Sequence, residues 1–454
     1  MTSSAIAVLV IFAATCGGLL TLVFTKPHIM LGGKKLSIFW SVPLLGALSL
    51  IIGGLLTPSE IAAGLTGAGD VNPIKILLLF FTMTMMSVYL DEIGFFRFLA
   101  VKVLGRAGHS QKVLFFLLYA LVSVLTVFTS NDVIVLTFTP FICHFSKNAR
   151  IDPIPYLVSE FVAANTWSMA LIIGNPTNIY LAGSAGVDFG GYIIKMILPT
   201  ILCGLVSMGV LYLLFRKKLA APIDPKAEKI PPIDKVTEVL GLVHLGGCIL
   251  LLSLSSFFDL PMWLITCIFF ASLVVCTMAV SIFRRRAPFL IAKCILRAPW
   301  DLAPFVLSMF VLVLALDKYG LTAMLANWLG QFDSIPTVIL AFGIASFLAA
   351  NILNNIPMSV LFSSVIAALP MAELAANDPS QALLISAALF ASVIGSNLGA
   401  FFTPTGALAG IMWTGQLHDH GVPFSFVTFV RYGATVAIPA LMTALGGLIL
   451  VFMI

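Results

Sequence analysis

Two long apolar runs of this chain break in the middle, and they break alike. Thr129-Ser130-Asn131-Asp132 interrupts the run from Val113 to Phe145, and Leu353-Asn354-Asn355-Ile356-Pro357 interrupts the run from Ile335 to Leu369. In a bilayer each break falls where continuous helix is cheapest, because an unpaired backbone group in hydrocarbon costs several kcal/mol. Non-helical backbone survives at that depth only inside protein or beside a watery cavity. Matching breaks in two halves of a membrane chain point to a central solute site.

Composition admits the membrane setting and little else. Of 454 residues, 60% are hydrophobic and only 9% charged, too little charge to wet a soluble fold of this size. Residues 5–25 carry no charge, enough to cross a bilayer core that needs about 20 residues. No basic residue precedes this run, and Lys26, Lys34 and Lys35 follow it, the wrong order for a cleaved signal peptide. The net charge of +5 lies mostly in short loops, where it orients a membrane protein and does not indicate nucleic acid. The seven cysteines form no close pair, so neither a disulfide nor a metal site is expected. No Walker A sequence occurs, which excludes ATP hydrolysis on this chain as the energy source. No nucleophile–base set marks an enzyme, and paired closed breaks suit alternating access better than an open channel.

The punctuation predicts an all-α polytopic membrane protein with about ten transmembrane spans, two re-entrant helical hairpins and two broken helices. Spans are expected near 4–25, 38–57, 74–90, 153–185, 191–215, 238–256, 260–283, 302–317, 379–415 and 424–453. Segments 111–147 and 335–370 read as hairpins that return to the side they entered, with a kinked span as the alternative for each. Charge favours the hairpins. With the N-terminus outside and neither hairpin crossing, 21 of the 24 Lys and Arg face the cytoplasm, leaving Lys75, Lys195 and Lys318 outside. If 111–147 crossed, Lys147 and Arg150 would oppose Arg106 and Lys112.

Residues 1–218 and 237–454 read as two repeats, joined by a Pro- and Lys-rich cytoplasmic linker, 219–236. Each has an Asp-x-x-Gly after its third span (Asp91 to Gly94, Asp317 to Gly320), then a hairpin Asn (Asn131, Asn355), then an Asn-x8-Gly (Asn165 to Gly174, Asn397 to Gly406). Five crossings per half is an odd number, so the second copy is inverted.

The candidate site residues follow from the breaks. Thr129, Ser130, Asn131 and Asp132 form the first tip; Asn354 and Asn355 form the second, where Pro357 starts the returning helix. The long spans break at Gly174-Asn175-Pro176-Thr177-Asn178 and at Thr403-Pro404-Thr405-Gly406. Side-chain oxygens with free carbonyls suit a hard cation, and half-helix N-termini suit anionic groups. Local capping is the competing role for Ser130, Asn131, Asp132 and Asn355. Asp132, the only carboxylate at a break, and Glu160, inside a span, are the proton-coupling candidates. Asp91, Asp301 and Asp317 are expected to cap or pair, His144 and His244 to lie at membrane interfaces, and Met83-Thr84-Met85-Met86 to pack.

These motifs carry a resemblance. Leu90-Asp91-Glu92-Ile93-Gly94-Phe95-Phe96, Asn131-Asp132 with Thr139-Pro140, Arg297-Ala298-Pro299-Trp300, Asn354-Asn355-Ile356-Pro357 and Leu398-Gly399 through Thr403-Pro404-x-Gly406 resemble the ArsB arsenite-efflux family over essentially the whole chain. Its wider superfamily includes the NhaD sodium/proton antiporters and sodium-coupled citrate and divalent-anion transporters. The resemblance implies an inverted-repeat, often dimeric, plasma-membrane carrier without cofactor, whose tips and broken helices hold substrate and an H⁺ or Na⁺ coupling ion. For a true arsenite pump it also implies an ATPase subunit as partner. Two departures matter. The ArsB pattern has Asp where this chain has Asn165 and Asn397, and Gly174 to Asn178 looks more like the Gly-x-Pro-x-Asn break of the anion transporters. The leading expectation is proton-coupled efflux of an arsenite- or antimonite-type hydroxide or another small oxyacid. The alternatives are sodium-coupled citrate or dicarboxylate symport and sodium/proton antiport.

Overall fold

The computed structural model describes every residue except 1, 26–27, 32–33, 67–71, 224–231, 259, 286–288, 373 and 376. The charge assignments of Lys26, Lys226, Lys229 and Arg286, and residues 224–231 of the linker 219–236, lie outside the described residues. Among those described, ten helices are long and apolar enough to cross a membrane. They are not the ten spans expected. The count includes Gln111–Phe128 and Ile335–Leu353, the entering arms of the two hairpins, and it lacks 38–57 and 153–185. The span 38–57 shortens to helix Ser41–Ile52, because Gly53 and a left-handed Gly54 (φ 65°) end it. Span 153–185 divides into Ile154–Trp167 and Pro176–Ser184, and span 379–415 into Pro379–Gly399 and Leu408–Asp419. The chain is also not purely helical, since His28–Leu31 and Lys34–Ser37 pair as a small antiparallel ribbon.

Short helices occupy what reads in sequence as connections, and they recur in the same order in both halves. Pro58–Thr66 and Phe95–Ala107 flank Pro73–Glu92, as Phe289–Arg297 and Leu321–Leu329 flank Leu302–Lys318. The two Asp-x-x-Gly motifs fold identically. Gly94 N donates to Asp91 O, and Gly320 N to Asp317 O, both at 2.9 Å, with the glycines at φ 83° and 74°. Each turn needs glycine for that left-handed backbone.

The ends of segment 111–149 lie together. Tyr156 OH donates to Gln111 Oε1 at 3.0 Å. Ile223 N donates to His109 O at 3.0 Å, while Lys218, five residues earlier, pairs with Asp152 at 2.6 Å. Five residues reach less than about 18 Å, so 109 and 152 share one end of the bundle. The second segment closes in the same way: a Cβ on Gly330 would fall 2.9 Å from Pro370 Cδ.

Ion pairs join Lys218 with Asp152, Arg284 with Asp234, Lys293 with Glu92, and Arg297 with both Asp91 and Glu92. Lys318 pairs with Glu60 and holds its carboxyl down at about 2. Trp300 stacks on Phe81 beside the Arg297 cluster, tying the halves at that end.

Candidate functional site

The first hairpin is helix Gln111–Phe128, a break at Thr129 and Ser130, and the return helix Asn131–Ala149. Asn131 and Asp132 therefore begin the return helix instead of standing in the gap. Thr129 Oγ1 donates back to Leu125 O at 2.7 Å. Ser130 occupies the N-cap position but its side chain caps nothing. Asn131 Nδ2 donates to Asn165 Oδ1 at 3.2 Å, and Asn165 Nδ2 in turn donates to Phe161 O. Ser130 Oγ and Asn131 Oδ1 are buried without a partner. The Asp132 carboxylate makes no hydrogen bond or ion pair among the described residues. An unpaired buried polar group costs about 1–3 kcal/mol, so this tip is poor architecture for a capping role.

The second tip differs. Only Asn354 leaves the helices, at φ 77°. Its Oδ1 accepts from Ile356 N at 3.4 Å, and its Nδ2 donates to Thr405 O at 3.1 Å. Asn355 N donates to Gly406 O at 3.0 Å, while its side-chain amide makes no hydrogen bond among the described residues. Thr403 Oγ1 donates to Asn351 Oδ1 at 2.6 Å and meets Thr405 Oγ1 at 2.9 Å; Thr405 Oγ1 also reaches Asn351 O. The second tip and the second broken helix are thus knitted into one unit.

Asn397 joins the halves. Its Oδ1 accepts from Ser168 Oγ at 2.9 Å and Asn175 Nδ2 at 3.0 Å. Its Nδ2 donates to Asn178 Oδ1 at 2.7 Å and Val393 O at 2.8 Å. Those four bonds fill its capacity. Asn178 Nδ2 then donates to Ser168 O and Leu171 O, and Asn175 Oδ1 caps Thr177 N. Thr177 Oγ1 stays buried and unpaired. Gly174 and Gly406 make close approaches that only glycine permits: a Cβ would lie 2.2 Å from Ser168 O and 2.1 Å from Gly399 O, respectively.

A vestibule of about 830 Å³ opens at the end of the bundle marked by Arg97 and Lys147. It runs along the return helix past Pro140 and Thr137, with His144, Asp419 and His420 at its rim. Among the described residues no cluster of His, Cys, Asp or Glu could hold a metal ion.

A family model described as "Citrate transporter" matches residues 38–389, most of the chain. This chain belongs to the citrate transporter family. The arsenical pump membrane protein of Escherichia coli is 28% identical over 434 residues, covering 92% of this chain and 94% of that protein. The one from Yersinia enterocolitica is 26% identical with the same coverage. The structure of the YdaH transporter from Alcanivorax borkumensis aligns over 99% of this chain and 98% of its own, with a TM-score of 0.56 at 15% identity, a likeness of fold. The protein is accordingly a multi-pass secondary transporter, not an enzyme.

Within this family member, the structure brings together Asn131 with Asn165, Asn397 with Asn175 and Asn178, and Asn354 with Thr405. Asp132 stands apart from these networks. Glu160 is buried and bonds to Thr139 and Trp413. Ser168 and Asn351, which complete two of the networks, escape a sequence reading. Asn351 lies three residues before the second tip inside an apolar run, and that single polar residue is the signal that could have found it.

Proposed function

We propose that this transporter exports a small uncharged oxyacid, an arsenite- or antimonite-type trihydroxide, across a bacterial plasma membrane in exchange for protons. The reading includes an inverted repeat with the N-terminus outside and two re-entrant hairpins whose tips meet the broken helices near the midplane. Its main support is the chemistry of the breaks: unpaired neutral oxygens on Ser130, Asn131 and Thr177, and no Lys or Arg. A trihydroxide offers hydroxyls that both donate and accept, which suits such a lining. The full-length relatives named arsenical pumps support the same choice. Asp132 and Glu160 are the groups that would take the proton.

Proteoliposomes holding the purified chain test this. An imposed pH gradient should drive metalloid accumulation, and a Na⁺ gradient alone should not. Sodium-coupled carboxylate symport is the second reading, favoured by the four helices that begin at the breaks, at Asn131, Pro176, Asn355 and Leu408. Their N-termini attract anions. Citrate uptake driven by Na⁺ in the same vesicles would replace the first reading with the second.

A further inference from the structure

Glu160 is the one buried carboxylate among the described residues, 2% exposed. Three elements meet on it. Thr139 Oγ1, on the return helix Asn131–Ala149, donates between its two oxygens at 3.2 Å each. Trp413 Nε1, on helix Leu408–Asp419 of the second half, donates to Oε2 at 3.3 Å. Two neutral donors thus serve a carboxyl that, when ionised, has about four acceptor sites. The indole is held by stacking on Phe161 at 4.9 Å and by the edge of Phe424 at 5.0 Å.

The same second-half helix grips the return helix again, one turn away. Pro140 lacks an N–H and leaves Leu136 O without its ladder donor; Gln416 Nε2 donates to that oxygen at 3.4 Å. Pro140, Thr137 and Cys143 line the vestibule, so Glu160, bonded to Thr139 beside Pro140, lies just behind its wall.

We propose that Glu160 is a proton-operated latch between the halves. As the anion it holds helix Leu408–Asp419, through the positioning residue Trp413, against the return helix with the vestibule open. Taking a proton loosens that hold, because a charge-assisted hydrogen bond is roughly twice as strong as a neutral one. The released helix directly follows the second break, which holds the second tip through Gly406 and Thr405. The empty anionic carrier is thereby locked open to the vestibule and reorients only with proton or substrate aboard, which is the condition for antiport without leak. The proton moves between vestibule water and a Glu160 oxygen, and no other bond changes. This deepens the proton-coupled reading and rests on it.

Other titratable groups on the surrounding helices cannot operate the latch from their positions in the bonding pattern. The return helix carries Asp132, Cys143, His144 and Lys147. Helix Gln111–Phe128 carries Lys112 and Tyr119, Phe189–Phe215 carries Tyr192, Lys195, Cys203 and Tyr212, and Phe426–Met453 carries Arg431 and Tyr432. Helix Leu408–Asp419 adds His418 and Asp419 at its far end, and Pro379–Gly399 has none. None of these groups hydrogen-bonds Glu160.

The test uses a full-length, otherwise cysteine-free chain in inverted membrane vesicles, with Thr137→Cys as a vestibule reporter and Lys293→Cys as the surface standard. Between pH 8.5 and 5, normalised labelling by an impermeant methanethiosulfonate should fall several-fold. Glu160→Gln should label weakly at every pH, with no step. Trp413→Phe keeps the ring packing and removes one donor to the anion; its step should move about one pH unit or more toward alkaline. A step retained in Glu160→Gln, or unmoved in a monodisperse Trp413→Phe, overturns the latch. Proton coupling fails separately, when the unaltered carrier shows the step yet accumulates nothing under a pH gradient.

Discussion

The two hairpin tips are written in similar residues and reach opposite conditions. At the second, Asn354 spends both ends of its amide on Ile356 and Thr405, and Asn351, Thr403 and Thr405 satisfy one another. At the first, among the described residues, Ser130 Oγ and Asn131 Oδ1 have no partner and Asp132 stands unbonded. Buried polar groups are nearly always paired in folded proteins, and Ser130 Oγ and Asn131 Oδ1, on adjacent residues of one tip, are two of the eleven exceptions among the described residues. The second tip resembles a frame and the first a receptor. On the proposed reading, the unengaged amide of Asn355 is what the second tip would offer a substrate.

The largest expected effect separates those roles. Asn131→Ala and Asn355→Ala should each reduce transport about 100-fold or more, the value of two lost substrate hydrogen bonds, while leaving the protein monodisperse. Asn354→Ala should act mainly on the fold, lowering the melting temperature in detergent, because Thr405 O and Ile356 N lose their partner. Near-normal transport in Asn131→Ala would return that residue to a purely structural role and erase the contrast.

The breaks were legible because polar residues inside apolar runs have few innocent explanations in a membrane. The matched Asp-x-x-Gly turns were legible too, since a positive φ demands glycine and leaves it in the sequence. What stayed hidden was of two kinds. Short helices such as Phe95–Ala107 and Leu321–Leu329 are too brief to span, so hydropathy reads them as loops. Partnerships were the other kind: Ser168 meets Asn397 across 229 positions, and nothing local in Ser168 announces it. Capping also stood as the competing role at both tips, whereas among the breaks the side chains that cap are those of Asn354 and Asn175.

The next effect sharpens the comparison at the two asparagines where the arsenite-efflux pattern has Asp. Asn397 donates to Asn178 Oδ1 and Val393 O, and a carboxylate would confront both with lone pairs. Asn397→Asp should therefore destabilise by about 3 kcal/mol or more, visible as loss of folded protein. Asn165→Asp forfeits only the bond to Phe161 O and still accepts from Asn131, so it should fold nearly normally. Equal losses in thermal stability would show that the inter-half network around Asn397 is not the tighter of the two.

Asp132 has no acidic counterpart at the second tip, and its loss should be smaller than that of Asn131 because the binding groups remain. Asp132→Asn should keep exchange of metalloid across vesicles at equal pH while losing most of the response to an imposed pH gradient. Full gradient-driven accumulation by this variant would shift coupling wholly to Glu160. Loss of exchange as well would make Asp132 part of the binding site.

The smallest effect tests where the two halves should agree. Gly94 and Gly320 end matching Asp-x-x-Gly turns at φ 83° and 74°, and an added Cβ at either would meet nothing within 4 Å. With packing out of the question, only the left-handed backbone is strained, at about 1 kcal/mol for alanine. Gly94→Ala and Gly320→Ala should therefore cost the same modest stability and leave transport unchanged. Melting curves of the two variants in one detergent give the comparison directly. A loss several times larger at Gly94, which also lines the vestibule, would mean that the asymmetry of the tips extends to the ends of the bundle. Matched losses would confine it to the breaks.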